Sequence, residues 1–422
     1  MDERVGLEGA RDVHPLTLLR PHWRLVLAAF LGWFLDAFDQ VALVLVLPEI
    51  GKHFGASLTA MGLVITAQSI GRIAGNIGWG WLADRFGRKP AFMAGVVWFA
   101  VFSGFSGLAW SYGALLVIQL LFGVGFGGEW TASAALLMES VPDRARAVAS
   151  SLMMAGYEVG FFAAAGMQAL LVPWLGWRAL FFVGIVPALL AIFIRVGVGE
   201  SPVWLRTQAR RAEEPARARA SRPRFRVTAA AVQACAFMAV LQFQTVSIYD
   251  FYPTLLKTVA GIGPNGVFAG IAAYSIGSVL GKLASGAAAT RLGDRPVILA
   301  LLVVTMLATF PFVTLLGAPG LLLPAAVIGA SSSGVFALVP HYLSMRFGSD
   351  ARSFGMGLAY ALAAAGQAVA TYALPATARG TGLPHAIAFF VVASSLVVAA
   401  IAIREPRDLP GRDMEEIGAE AA

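Results

Sequence analysis

Gly80-Trp81-Leu82-Ala83-Asp84-Arg85-Phe86-Gly87-Arg88-Lys89-Pro90 decides how this chain is built, because the pattern occurs twice. Its second copy, Gly286-Ala287-Ala288-Ala289-Thr290-Arg291-Leu292-Gly293-Asp294-Arg295-Pro296, lies 206 residues on, close to half of the 422-residue chain. The same offset pairs the stretches leading in, Ser69-Ile70-Gly71-Arg72-Ile73-Ala74-Gly75 with Ser275-Ile276-Gly277-Ser278-Val279-Leu280-Gly281. It also pairs Asp143-Arg144-Ala145-Arg146 with Ser349-Asp350-Ala351-Arg352. A long-period repeat outranks any local motif in reading a fold. In a membrane chain, two copies imply two similar helical bundles around a central site, which is the architecture of a transporter.

The composition fits a membrane chain. Hydrophobic residues make up 58% of it and charged residues 13%. A soluble domain of this length lacks the interior to hold so much apolar surface. Each stretch of about 20 apolar residues crosses a bilayer as a helix. Twelve such stretches are read near 25–49, 58–83, 90–109, 113–138, 147–171, 178–194, 227–253, 267–289, 296–317, 320–343, 354–375 and 385–403. Strand patterning is absent. The expected fold is therefore all-α, with twelve transmembrane helices in two pseudo-symmetric halves, 1–197 and 226–422, joined by a linker at 198–225.

A net charge of +7 invites a nucleic-acid reading, which the distribution rejects. Of 31 Lys and Arg, 25 fall in the termini and in the loops on one side; Lys52, Arg178, Lys257 and Arg379 fall on the other. That asymmetry is the positive-inside bias, so both termini are expected in the cytoplasm and the chain in a cytoplasmic (inner) membrane. Residues 1–20 carry no apolar core, so no cleavable signal peptide is expected. The linker holds Ala-Arg repeats and three Pro, and is read as a cytoplasmic segment with an amphipathic helix on the lipid surface. The single Cys235 excludes an intramolecular disulfide and reads as packing.

The loop motif has a mechanical rationale. Gly80 permits close approach and Gly87 a tight turn. Asp84, at the end of helix 2, is placed to accept from a helix N-terminus or to pair with a nearby Arg. Such a contact holds one face of the protein closed in one state and breaks in the other. A merely topogenic basic loop would not need Gly and Pro in register in both copies. The pattern resembles the signature of the major facilitator superfamily, over nearly the whole chain. That resemblance makes the latch set Gly80, Asp84, Arg85, Gly87, Arg88, Arg144, Arg146, Arg291 and Arg295.

Further motifs narrow the resemblance: Gly32-Trp33-Phe34-Leu35-Asp36-Ala37-Phe38-Asp39 in helix 1, Gly127-Gly128-Glu129-Trp130 in helix 4, Glu139-Ser140-Val141-Pro142-Asp143-Arg144-Ala145-Arg146 after it, and Glu200-Ser201-Pro202-Val203-Trp204-Leu205 after helix 6. Together they look like the sialate/lactate:proton symporter branch, with the aromatic-acid:proton symporters as runner-up. Both resemblances imply uptake of organic anions with protons. The pattern breaks at Gln119, where many relatives carry Arg, so no coupling Arg is transferred to that position.

The residues themselves support this. An ionisable group inside lipid costs several kcal/mol unless paired or hydrated, and is a functional hypothesis by default. Asp36 and Asp39 are three apart in helix 1, so they share a face, and Arg72 in helix 2 is at similar depth. Glu129 lies in helix 4, Glu158 in helix 5 and Lys282 in helix 8. A carboxylate whose Arg partner is taken by a substrate anion holds its proton more tightly, which couples one anion to one proton. Arg72 is accordingly read as the substrate's cation, and Asp36 or Asp39, with Glu129, as the proton carrier. Trp130, Gln242, Tyr249, Tyr360 and Gln367 complete the expected substrate set. The competing account makes all these charges buried structural pairs.

Other signals are bland. Gly123-Val124-Gly125-Phe126-Gly127-Gly128 matches a dinucleotide fingerprint only in spelling, since it sits inside an apolar helix without a strand before it. Gly71/Gly75, Gly277/Gly281 and Gly156/Gly160 read as small-residue helix contacts. Asp250 is placed at the outer interface and His341 near the inner end of helix 10. Five His give no metal spacing, and no catalytic constellation appears. The expectation is a non-enzyme without cofactor, metal or nucleic-acid partner. It is a monomer in the lipid bilayer that moves a small organic acid anion, a monocarboxylate or sialate, together with a proton. Export of drug-like compounds and a non-transporting sensor on the same fold are the alternatives.

Overall fold

The computed structural model describes residues 14–185, 193–194, 196–213, 225, 227–317 and 320–404. Both expected tails, most of the second half of helix 6 and the centre of the linker lie outside the described residues. Among these residues there is helix and no strand. The membrane helices of the first half are α1 Trp23–Phe54, α2 Leu58–Phe86, α3 Arg88–Gly107, α4 Tyr112–Ser140, α5 Asp143–Leu175 and α6 Arg178–Val183. Those of the second are α7 Ala229–Tyr249, α8 Pro264–Leu292, α9 Asp294–Thr314, α10 Leu322–Ala337, α11 Arg352–Thr381 and α12 Leu383–Arg404.

Ten helices among the described residues are long and apolar enough to cross a membrane. α6 is not among them, because only six residues of it are described as helix, and α2 is not, for a physical reason. Its 29 residues span about 43 Å at helical rise, but Gln68, Arg72, Asn76, Asp84 and Arg85 dilute its apolar content. Local chemistry sets the boundaries. Ser57, Ser111 and Thr228 accept from the N–H groups of Ala60, Ala114 and Ala231, capping α2, α4 and α7. Gly87 (φ 112°) and Gly293 (φ 80°), equivalent in the two motif copies, turn α2 into α3 and α8 into α9.

The repeat is visible in the packing. A Cβ on Gly71 or Gly75 would land on the carbonyl of Leu120 or Val124 of α4. A Cβ on Gly277 or Gly281 would land on Ala326 or Ala330 of α10, the residues 206 further on. These backbones approach closely because α2 and α8 carry Gly, with no side chain, at these contacts. The halves meet mainly along α2–α11 and α5–α8.

The linker begins as a helix, Pro202–Glu213, and it packs against protein. Val203 is buried, the Trp204 indole donates to Asp84 O at 3.1 Å, and Arg211 pairs with Asp350 at 3.1 Å. The helix thus straps the motif-side ends of both halves.

Candidate functional site

A cavity of about 160 Å³ lies between the halves. Five of the six residues expected to bind substrate line it: Arg72 from α2, Gln242 and Tyr249 from α7, and Tyr360 and Gln367 from α11. Trp130 does not. It is buried one layer back, stacked on Tyr360 with ring centroids 4.0 Å apart, and so backs the wall rather than forming it. Trp33, Tyr157, Phe161 and Tyr274 add further aromatic surface to the lining.

The Arg72 guanidinium stands 5.5 Å from the Tyr360 ring centroid and 4.5 Å from that of Phe126. Among the described residues it makes no ion pair. A cation on aromatic faces in a polar cavity is a receptor for a carboxylate.

The three expected proton carriers lie outside the cavity lining and separate into two places. Asp36 on α1 and Glu129 on α4 approach within hydrogen-bonding reach of each other, and Asp36 feels the charge of Arg72. Among the described residues no other donor reaches Asp36 Oδ2 or either oxygen of Glu129. Two carboxylates offer only acceptors, so a bond between them needs one proton. Gly32 makes the room, since a Cβ there would land on Glu129 Oε1. Asp39 is elsewhere: Ser103 of α3 donates to its Oδ1 at 3.0 Å, and a Cβ on Gly184 would crowd the same oxygen. The shared face of helix 1 splits because a three-residue step turns about 60°, enough to send the two carboxyls to different neighbours.

Glu158 and Lys282, outside the expected substrate set, also line the cavity. Lys282 Nζ is 2.6 Å from both carboxylate oxygens of Glu158 and donates to Met154 O at 3.0 Å. The pair joins α5 of the first half to α8 of the second. Sequence shows Glu158 at the middle of helix 5 and Lys282 in the inner half of helix 8; only the bundle brings residues 124 apart into contact.

A second cluster closes the motif side. Asp84 accepts from the backbone N–H of Ser353 (3.1 Å) and Phe354 (2.8 Å), the start of α11 in the other half. Gly80 allows it: a Cβ there would sit 2.6 Å from Ser353 O. Arg88 is fully buried, pairs with Asp84 (2.9 Å), donates to both oxygens of Glu139 (3.0 and 3.1 Å) and reaches Ser349 O (2.9 Å). Glu139 also takes Arg352 at 2.7 Å and the Ser201 hydroxyl. Gly87 turns beside Glu200, whose carboxylate accepts from the N–H groups of Arg88 and Lys89. Ser150 of α5 donates to Ala337 O of α10 at 2.6 Å, a further tie between halves.

Arg85 is exposed over Trp81, and Arg144 and Arg291 are exposed. Arg146 is buried on Met138 O and beside Asp143, and Arg295 donates to Ile403 O within its own half. Sequence reading left out Glu139 and Arg352 as latch members. Their signal was the Glu139 motif and the pairing of Arg352 with Arg146 across the repeat. In the second copy the charges differ: Thr290 replaces Asp84, and Asp294 binds His341 at 2.8 Å.

The profile of the Major Facilitator Superfamily matches residues 29–371. A probable 4-methylmuconolactone transporter of Cupriavidus pinatubonensis is 30% identical over 79% of this chain and 78% of its own length. The 4-hydroxybenzoate transporter PcaK of Pseudomonas putida is 35% identical over 44% of this chain and 42% of its own. Among solved structures, the proton:xylose symporter XylE superposes with a TM-score of 0.78, covering 95% of this chain and 99% of that one, at 18% identity.

Proposed function

The chain belongs to the Major Facilitator Superfamily and is a multi-pass membrane transporter rather than an enzyme; from that premise we propose that it takes up a small organic acid anion together with a proton, by alternating access. The observation that carries this is Arg72: a cation without an ion-pair partner among the described residues, facing a small aromatic-walled cavity. The substrate carboxylate binds Arg72. Gln242 and Gln367 orient its polar edge, and Tyr249 and Tyr360 cover its apolar body.

The Asp36–Glu129 pair holds the transported proton. It lies close enough to Arg72 to sense whether that charge is engaged. Asp39, held by Ser103, is a secondary candidate. In the proposed orientation the motif side faces the cytoplasm of a cell whose inner membrane holds the chain as a monomer. The state described here is therefore closed inward, with Asp84, Arg88, Glu139 and Arg352 as its latch.

The aromatic side chains of Trp33, Tyr157 and Phe161 in the lining suit the flat face of a ring or dienoic acid. The names of two relatives, a muconolactone and a hydroxybenzoate transporter, support the same class. Uptake of labelled benzoate, 4-hydroxybenzoate and muconate into proteoliposomes, with and without an inward proton gradient, tests the proposal. Accumulation above equilibrium under the gradient is expected. Equilibration without accumulation leaves a facilitator and removes the proton from the mechanism.

A further inference from the structure

The cavity holds two cations, one from each half, and a monocarboxylate needs only one. Arg72 comes from α2 and Lys282 from α8. Lys282 is buried, with the Glu158 carboxylate bound symmetrically on its ammonium at 2.6 Å to each oxygen. Ser278 Oγ donates to the same carboxylate at 2.6 Å. Ser275, Ser278 and Lys282 follow at spacings of three and four, so α8 presents one polar face here. That face is an anion receptor, and its present occupant is a side chain of the opposite half.

We propose that Lys282 is a second anion subsite, filled in this state by Glu158, and that the transporter takes acids with two anionic groups, one on Arg72 and one on Lys282. This rests on the reading of the cavity as an acid site. A monoacid leaves the Glu158–Lys282 pair intact and gains nothing from it. The second carboxylate of a diacid takes the place of Glu158 on Lys282. A bare carboxylate then left in the low-dielectric cavity is costly, so the exchange proceeds with a proton from water placed on Glu158. The other charged or titratable groups facing the pair are Arg72 on α2, Asp250 after α7, and the phenols of Tyr157, Tyr249, Tyr274 and Tyr360. Because the pair ties α5 to α8, the same exchange releases one of the contacts that hold the halves together.

The test uses the full chain in nanodiscs and matched acids differing by one carboxylate: benzoate against terephthalate, and sorbate against muconate. The readout is the ratio of diacid to monoacid affinity by calorimetry. Glu158→Gln mimics the protonated carboxyl and leaves Lys282 available. It should raise the ratio roughly tenfold at neutral pH, the worth of one charge-assisted hydrogen bond, and flatten its pH dependence. Lys282→Gln should lower the ratio by a similar factor in at least one pair. A merely structural tie would weaken folding in both variants and leave the ratio fixed, and an unchanged ratio in both overturns the proposal. If instead Arg72→Ala binds all four acids like the parent, the acid-site reading itself fails, and this inference with it.

Discussion

Arg352, the first residue of α11, places its Nη1 atom 2.7 Å from Oε1 of Glu139 on α4, so an ion pair with no exposed atoms spans the two repeat halves. Arg88 shares the same carboxylate from the first half. One acid thus separates two buried guanidinium groups. Its value lies less in the attraction it gives than in the repulsion it prevents.

Glu139→Gln should therefore open the motif side. Breaking a buried pair costs about 3–5 kcal/mol, and here the substitution removes the acid that two buried guanidinium groups share. The expected result is a lower melting temperature and faster labelling of single-Cys probes placed on the motif-side loops, built after replacing Cys235. Labelling at the parental rate would show that the cluster does not hold the gate.

Asp84→Asn keeps the size of the side chain but weakens the acceptors for Ser353 and Phe354. Substrate affinity should stay within a few-fold while turnover slows, since the contact belongs to the latch and not to the cavity. Gly80→Val should shift the same equilibrium by a steric route, because its Cβ would press on Ser353 O at 2.6 Å. Equal inward and outward labelling populations in both variants and the parent would sink the latch assignment.

Arg72→Ala should lose acid binding, and Arg72→Lys should only weaken it. Lys keeps the charge but cannot present a planar, bidentate fork to a carboxylate. Calorimetry with benzoate is a direct check. Parental affinity in Arg72→Ala would overturn the reading of the cavity as an acid site.

Asp36→Asn and Glu129→Gln should each abolish accumulation driven by a proton gradient while sparing counterflow of labelled substrate down its own gradient, since exchange need not cycle the proton. Two carboxylates can bond each other only with a proton between them, whereas an amide donates its own N–H to the remaining carboxylate, so neither variant needs the shared proton. Accumulation at the parental level in both would transfer the role to Asp39 or Glu158.

Gly32→Ala supplies an independent handle on that pair. Its methyl would land on Glu129 Oε1, and overpacking of this kind costs about 1–3 kcal/mol. Coupled uptake should fall more steeply than uncoupled counterflow. A parallel fall in both would mean that the substitution acts on the fold alone.

The architecture is legible in the chain before any folding is considered. A 206-residue repeat, apolar stretches of spanning length and Gly at the helix crossings are local or periodic facts, and each has one stable solution in lipid. The sequence also singled out the charges worth attention, because any ionisable residue inside a membrane is conspicuous. Tertiary structure alone decided which of those charges meet. Asp36 and Asp39 are neighbours on one helix, yet one faces Glu129 and the other Ser103. Glu158 and Lys282 lie in different halves, yet share the cavity. Glu139 gathers Arg88 and Arg352 from positions 51 and 213 residues away. Helical periodicity fixes the face on which a side chain lies, but its partner depends on the rotation and depth of every neighbouring helix. Those are set by the packing of the whole bundle.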